Sequence, residues 1–190
     1  MSKVVIAGDA SGTGTFTISA PNGNTDRTLV LPDEAGTVLT SAGVPASAMP
    51  AGSVIQVVQV VNSTNVSTSS TTPVASGLSA SITPQSSTNK ILVLITACGT
   101  GTNATACGVE YSLYKDGTSL FVFDRIASYS GSGSAYGTVT TAYLDAPSTT
   151  STLNYQMYYR KYSGTGNAYL NNYVSGDSSQ STITLMEIAG

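Results

Sequence analysis

The feature that most constrains the fold is a succession of short β-type runs separated by Gly, Ser, Thr and Asn, without helical periodicity of useful length. Residues 54–61 and 90–97 are nearly continuous apolar runs rich in Val and Ile, which predicts strands covered on both faces. Residues 78–83 and 109–114 instead alternate apolar with polar side chains, which predicts strands buried on one face. The pattern predicts an all-β chain.

About eight to ten strands follow residue 53 by the period-two criterion. Their regular spacing without crossover helices favours an antiparallel β-sandwich of jelly-roll type over any parallel sheet. The sharpest local signal is Asp116–Gly117 between two strand-like runs, because this pair favours the positive φ angles of a two-residue type I′ turn. A tight hairpin is therefore expected there.

Residues 41–53 separate two regions, because Pro45 and Pro50 would interrupt any helix in this Ala- and Ser-rich stretch. We predict a linker at 41–53, a β-rich trimerisation and attachment segment at 1–40, and a β-sandwich module at 54–190. Three short strands in about 40 residues bury too little apolar surface to be stable alone, so the first segment needs partner chains or a neighbouring domain. Those predicted strands cover residues 14–19, 27–31 and 37–40.

Charged residues make up only 9% of the chain, with seven bases against ten acids and a net charge of −3. This balance offers no basic patch for a phosphate backbone, so no nucleic-acid partner is expected. Soluble monomers normally carry more surface charge, and residues 120–123 and 185–188 are apolar on both strand faces. We therefore expect a homo-oligomer whose exposed strand faces pack on other copies; the alternative is that loops of the same chain cover them.

Catalysis is poorly supported by the residue types present. The absence of His removes the general base of Ser and Cys nucleophile systems, and the ten acids are scattered rather than paired as in glycosidases. No metal-ligand spacing is present, so we predict no enzyme activity, no metal and no cofactor. Cys98 and Cys107 flank a short loop and would face each other if it closed a hairpin, but synthesis in a reducing cytoplasm favours free thiols.

Tyrosine is the residue type best suited to recognition, with eleven Tyr against three Phe. A Tyr ring offers an apolar face to a sugar and a hydroxyl to its edge. Several tyrosines flank the Gly- and Ser-rich stretches 130–135 and 163–167, with Arg125 and Lys161 nearby as further charges for an anionic sugar. The predicted receptor-binding residues are Tyr129, Tyr136, Arg160, Tyr162, Tyr169 and Tyr173. The alternative for each tyrosine is an ordinary strand position, as expected for Tyr155 and Tyr159, or packing between subunits.

Several segments, taken in order, resemble tail fibre and host-attachment proteins of tailed bacteriophages. The first part resembles their short threonine-rich strand, TLxLP strand and GTVLTS exit, in Gly8–Pro21, Arg27–Pro32 and Ala35–Ser41. The later part resembles the C-terminal β-sandwich module of such fibres. Its matching segments are GLSASITP at 77–84, NKILVL at 89–94, KDGT at 115–118 and STITLMEIA at 181–189.

The resemblance implies a homotrimer in the virion, with intertwined N-terminal strands bound to another virion protein. It also implies a knob similar to the tumour-necrosis-factor and C1q jelly roll, whose distal loops bind a host cell-surface glycan. No long shaft repeat and no tail-docking domain precede these segments, so tail and capsid locations both stay open. The alternatives are a capsid head fibre or decoration protein, a baseplate structural protein without receptor role, and a glycan depolymerase. The longest apolar runs are too short to span a bilayer, and no membrane insertion is expected.

Overall fold

The chain divides into two units, Met1–Val38 and Leu39–Gly190. The computed structural model describes residues 48–128, 133–172 and 179–190, together with 11–14, 23, 28 and 44. The strands predicted within residues 1–40, and the boundary of that segment, lie outside the described residues. The fold below is that of the second unit.

The described residues of this unit form ten strands, each short and bounded by turn residues as the sequence pattern predicts. They are β1 (Val54–Asn62), β2 (Val66–Thr68), β3 (Val74–Ile82), β4 (Lys90–Thr102), β5 (Gly108–Lys115), β6 (Thr118–Ala127), β7 (Ala135–Asp145), β8 (Leu153–Ser163), β9 (Ala168–Leu170) and β10 (Ser181–Ile188). The described residues contain no helix that has the length and apolar character a bilayer crossing requires.

The strands form two antiparallel sheets. Sheet A has the long strands in the order β1-β10-β4-β7. The short β9 pairs with the last residues of β4, and β2 pairs with β9. Sheet B has the order β3-β8-β5-β6. The eight long strands therefore follow the double Greek-key order of a jelly roll. The predicted all-β antiparallel sandwich is confirmed.

The core lies between the sheets because each strand turns alternate apolar side chains inward. Ile91, Val93 and Ile95 of β4 are buried to 1% exposure or less, and Tyr111 and Tyr155 from sheet B are buried completely. Tyr155 and Tyr159 are thus core strand residues, as expected. Burial of such apolar side chains is the main stabilising contribution to a sandwich of this kind.

One core tyrosine links the two sheets directly. The hydroxyl of Tyr111 on β5 accepts a hydrogen bond from the Gly101 amide at 2.7 Å and donates one to the Tyr169 carbonyl at 3.0 Å. Burial raises the pKa of Tyr111 above its ordinary value of 10.0, which keeps the hydroxyl protonated and able to donate. The backbone of β4 and β9 is therefore fixed to β5 across the core.

Strand β5 corrects one sequence-based expectation. Its outward residues Glu110 and Ser112 are only 2% and 3% exposed, so the strand is buried on both faces rather than on one. The long side chains of neighbouring strands cover it, since Arg125 and Arg160 lie directly opposite Glu110 in the register. Alternation alone could not reveal this cover, because it comes from strands distant in sequence.

Strand β6 differs from the expectation that its apolar run 120–123 packs on other copies of the chain. The register against β5 shifts twice, between Tyr111 and Ser112 and between Leu113 and Tyr114. A bulge of this kind adds a residue on one strand and turns it relative to the pleat. The shift at Tyr111 leaves Phe123 without a partner on β5, so Phe121, Phe123 and also Ile126, three residues further on, pack on the core. Val122 stays 42% exposed. The apolar run 120–123 is thus mostly accommodated within the chain itself.

The tight turn is confirmed and the cysteine hairpin is wrong. Asp116 and Gly117 have φ angles of 48° and 77°, the two positive values that a type I′ turn requires. Cys98 and Cys107 do not face each other across a hairpin, because β4 and β5 belong to different sheets. Both are free thiols, with Cys107 buried in the core.

Strand direction defines two ends of the sandwich. At the linker end, Gly52 donates to the Ala189 carbonyl at 2.8 Å, and the Ala189 amide donates to the Ser53 carbonyl at 2.9 Å. Strands β4 and β8 run away from this end, and their last residues mark the distal end. The first residues of β5, β7 and β10 and the last residues of β6 lie there as well.

Candidate functional site

The predicted recognition residues that the structure describes all lie toward the distal end, but on opposite outer faces. Arg160 and Tyr162 belong to β8 and point outward from sheet B, whereas Tyr136 of β7 and Tyr169 of β9 belong to sheet A. The structure thus divides the predicted set into two groups. The remaining two, Tyr129 and Tyr173, lie outside the described residues.

The first group is centred on a carboxylate. Glu110 Oε2 accepts hydrogen bonds from Arg125 Nε at 2.9 Å and pairs with Arg125 Nη2 at 2.7 Å. Its other oxygen, Oε1, accepts from Arg160 Nε at 2.8 Å. Arg160 also donates through Nη1 to the Thr71 carbonyl at 3.2 Å. We call Glu110, Arg125, Arg160 and Tyr162 the arginine cluster.

The pleat and the register assemble this cluster. Cross-strand partners in an antiparallel sheet share a face, and Glu110 on the central β5 is partnered by Arg125 on one side and Arg160 on the other. The Tyr162 ring lies over Gly108, where an added Cβ would come within 2.4 Å of the ring. Glycine at this position is therefore required for the ring to lie flat against the strand.

The cluster is ionised and partly open to solvent. Burial by itself would raise the pKa of Glu110, but the hydrogen bonds and charges of Arg160 and Arg125 outweigh it and hold that pKa below the ordinary 4.5. The side chains of Arg125 and Arg160 are 58% and 33% exposed. The Arg125 guanidinium lies 5.4 Å from the centre of the Tyr162 ring, within cation–π range.

Aromatic rings extend this surface along β8. Tyr158 lies two residues before Arg160 and so shares its outward face. Its ring stacks on that of Tyr114 with centroids 3.9 Å apart and planes inclined by 20°. Tyr158, Arg160 and Tyr162 thus alternate along one strand as ring, guanidinium and ring, an arrangement suited to a ligand with both an apolar face and polar edges.

The second group is a tyrosine pair on sheet A. Tyr136 and Tyr169 both lie opposite Gly101 in the register, and their ring centroids are 6.1 Å apart. Burial raises the pKa of Tyr136 above its ordinary value. An added Cβ on Gly101 would lie 2.0 Å from the Ala135 carbonyl oxygen, so the two strands meet closely here. The rings contact each other and cover a glycine.

The outer face of sheet A carries a feature that the sequence pattern did not locate. Val57, Met186, Leu92 and Leu144 are successive cross-strand partners, and we call them the apolar row. Val57 and Leu144 at its two ends are 55% and 51% exposed. The structure describes every strand of sheet A. On these strands, Lys90 at the linker end is the only charged residue whose side chain points outward.

Two further buried carboxylates are fully engaged. Glu187 of β10 accepts from Gln56 Nε2 at 2.5 Å, Asn89 Nδ2 at 2.6 Å and the Gln85 amide at 2.7 Å. Asp145 Oδ2 accepts from Lys115 Nζ at 2.8 Å and from the Tyr155 hydroxyl at 2.6 Å. These contacts hold the linker end together.

The described residues form no metal-binding group, and the clefts lined by Met49 include none of Tyr136, Arg160, Tyr162 and Tyr169. Within the described residues no group of three or more His, Cys, Asp or Glu side chains could hold a metal ion. A cleft of about 250 Å³ lies instead at the linker end, between Met49, the β3–β4 loop and Gly190. The described members of the predicted set lie on outer sheet faces.

Comparison with known proteins gives little beyond these observations. No protein-family model matches the chain, and no curated protein matches it in sequence. Among solved structures, the chain is similar to a subviral particle of infectious bursal disease virus VP2, at 13% identity and a TM-score of 0.37 over 71% of this chain and 38% of that one. The structure of the Gx strain of that virus gives 12% identity and a TM-score of 0.34 over 71% and 37%. The chain thus spans less than two fifths of those proteins, and scores of this size carry no argument about its function.

Proposed function

We propose that this chain is a non-enzymatic structural protein of a virion, a homotrimeric bacteriophage fibre or fibre tip that binds a saccharide on the host surface. The observation that carries the proposal is the apolar row on an outer sheet face that has almost no charge. The segments that resemble phage fibre proteins supply the virion context. The arginine cluster on the opposite face supplies a surface for recognition.

The apolar row favours association between copies of the chain. Val57 and Leu144 leave more than half of their surface in water, and burial of apolar surface contributes about 25 cal/mol per Å². Repeated over identical subunits, such a face forms a closed interface without needing complementary charges. The low charged fraction of 9% fits a chain that hides part of its surface in this way.

The two tyrosine groups take different roles in this proposal. Tyr136 and Tyr169 share the outer face of sheet A with the apolar row, so we assign them to subunit packing near the distal end. Arg160 and Tyr162 lie on sheet B and stay open in a trimer built through sheet A. Host recognition is therefore assigned to the sheet B face, and the first group of predicted residues is retained for that role.

The buried carboxylates support a binding role rather than hydrolysis. A glycosidase needs one carboxylic acid with a raised pKa to protonate the leaving oxygen. Hydrogen bonds hold the pKa of both Glu110 and Glu187 below 4.5, although burial by itself would raise it. Neither carboxylate has the property that general-acid chemistry requires.

The test is adsorption of fluorescently labelled protein to cells on which the virus grows, compared with resistant cells. We expect saturable binding to the sensitive cells and competition with the virus for adsorption. A decoration or baseplate protein without receptor role would bind neither cell type, which would overturn the proposal. Release of reducing ends from the host polysaccharide would also contradict it, because that result would identify a depolymerase.

A further inference from the structure

The arginine cluster has an excess of positive charge on an open surface. Glu110 offsets one of the two guanidinium charges, and both arginines form their ion pairs with this carboxylate alone among the described residues. Asp124 is turned to the backbone, where its Oδ1 accepts from the Arg125 amide at 2.7 Å. Lys161 follows Arg160 in the chain but is the register partner of the core residue Val109, so it lies on the opposite face of β8. The cluster therefore attracts an anion.

Both guanidinium groups keep donors for a further partner. A guanidinium carries five N–H bonds. Arg125 uses Nε and Nη2 on Glu110, and Arg160 uses Nε on Glu110 and Nη1 on the Thr71 carbonyl, which leaves three on each within the described residues. The shared carboxylate holds both planar groups in place. Less side-chain entropy is then lost when a ligand binds, compared with two free arginines.

From this geometry we infer that Arg125 and Arg160 bind the carboxylate of an acidic sugar residue, with the sugar ring against Tyr162. The inference deepens the proposed recognition of a host saccharide and rests on it for biological meaning. Arginine donates to carboxylates in a bidentate fork, and a Tyr ring packs against the apolar face of a sugar. Tyr162 is 43% exposed beside Arg125, so both parts of such a ligand find a partner.

A uronic acid fits better than a free inorganic anion. An inorganic anion would use the guanidinium groups but leave the rings of Tyr162 and Tyr158 without a role. The alternation of ring, guanidinium and ring along β8 matches a linear oligosaccharide in which only some contacts are ionic. Consecutive outward side chains on a strand are about 6.6 Å apart, which is of the order of one sugar ring.

The experiment is calorimetric titration of the intact protein with tri-galacturonate, with the neutral galactose trimer and with sodium sulfate. We expect saturable binding of tri-galacturonate that weakens as salt concentration rises. The neutral trimer should bind at least about tenfold more weakly, a difference of about 1.4 kcal/mol. Absence of tri-galacturonate binding at about millimolar concentration would overturn the inference. Equal binding of the neutral trimer or of sulfate would do the same.

Substitutions locate the site. Arg125→Gln should weaken tri-galacturonate binding by at least about tenfold, whereas the matched control Lys161→Gln, which removes an equal charge next to Arg160, should change it by less than about twofold. If Arg125→Gln fails to fold, the affinity of Arg125→Lys is measured instead. This variant keeps the charge and the ion pair but lacks the bidentate fork of the guanidinium group. An unchanged affinity in the folded variant contradicts the assignment.

The result for the acidic-sugar site can be distinguished from the result for the proposed receptor function. The titration uses isolated protein and needs neither host cells nor a trimer, and light scattering of the same sample gives the number of chains. Tri-galacturonate binding without cell adsorption would leave the site standing and remove the receptor role. Cell adsorption that survives Arg125→Gln unchanged would leave the receptor role standing and place it elsewhere on the chain.

Discussion

The two outer faces of the sandwich differ sharply in chemistry although their inner faces form one core. Sheet A presents the apolar row, with Lys90 as its one outward charge. Sheet B presents Glu110 beneath two arginines, flanked by tyrosine rings. A monomer in water would gain nothing from this division, whereas an assembly needs one face to bury and another to expose.

The same division extends to the buried carboxylates. Glu110 of sheet B is matched by two charged guanidinium groups, whereas Glu187 of sheet A is satisfied by neutral amides alone. The other buried carboxylate of sheet A, Asp145, pairs with Lys115 of sheet B, so sheet A itself contributes no cation to either carboxylate. A face kept free of ions can be desolvated by another protein surface at low cost, because no charge loses its water.

The largest effect is expected from a charge placed in the apolar row. If the apolar row is the proposed interface, Val57→Glu would bury one carboxylate per chain there, which costs about 3 kcal/mol or more for each uncompensated charge. The oligomer should dissociate in size-exclusion chromatography with light scattering. The matched control is Val122→Glu, a similarly exposed valine on the edge strand of sheet B.

The control should leave the mass unchanged, since surface substitutions away from an interface shift stability by about 0.5 kcal/mol or less. The comparison of the faces fails if Val122→Glu dissociates the assembly and Val57→Glu does not.

The second effect compares the two carboxylates. Glu187→Gln turns an amide group toward three donors and should lower the free energy of unfolding by about 2–3 kcal/mol at neutral pH. Glu110→Gln should cost about 1 kcal/mol, because its arginine partners are partly exposed. Chemical denaturation measures both. The Glu110 effect should shrink at high salt while the Glu187 effect does not; identical salt responses would contradict the distinction.

Acid should remove the stabilisation that the ionised Glu110 and Glu187 provide. The pKa of each carboxylate lies below 4.5 in the folded chain, so the unfolded chain binds more protons as the pH falls past 4.5. The stabilisation is therefore complete above that pH and is lost as the pH falls through the folded-state pKa. Denaturation midpoints in acid should fall less steeply for Glu187→Gln than for the wild type. Parallel slopes would show that Glu187 does not contribute.

A smaller effect tests whether the two faces are fixed relative to each other. Tyr111→Phe removes the hydroxyl that joins the buried Gly101 amide to the part-buried Tyr169 carbonyl, and the loss of these hydrogen bonds should cost about 1–3 kcal/mol. Tyr159→Phe is the matched control, because Tyr159 is also a core tyrosine of sheet B and its hydroxyl has no hydrogen bond to any described residue. Equal losses of thermal stability in the two variants would show that the Tyr111 contacts do not join the sheets.

The smallest effect concerns the hairpin of sheet B. Gly117→Ala places a Cβ at φ 77° with no neighbour within 4 Å, so only backbone conformation opposes it, at about 1 kcal/mol. Gly137→Ala in sheet A meets equally open space without a positive φ and should be nearly neutral. A difference below about 0.3 kcal/mol in thermal unfolding would mean that the turn is not a type I′ turn.

Local patterns predicted much of the fold and little of the site. The type I′ turn and the inward residues of β3 follow from side-chain alternation and turn chemistry over a few residues. The bulges in β6 did not follow, because a register shift depends on the partner strand. The unpaired Phe123 lets Ile126 face the core together with Phe121 and Phe123, which strict alternation does not predict.

The candidate site depended on the same missing information. Arg125 follows Glu110 by 15 residues and Arg160 follows it by 50 residues. Only the strand order β8-β5-β6 brings the three together. A signal was nevertheless present: Glu110 is the one acidic residue of its strand, and arginines stand in two later strands. The apolar row was equally hidden, since its four members come from four different strands.

The most direct test of the division between the faces is the mass of the purified wild-type protein by multi-angle light scattering across a dilution series. The account predicts close to three chains per particle, with the apolar row protected from hydrogen exchange and the arginine cluster exposed. A folded single chain at every concentration, with the amides of the sheet A edge strand β1 exchanging freely, would contradict it.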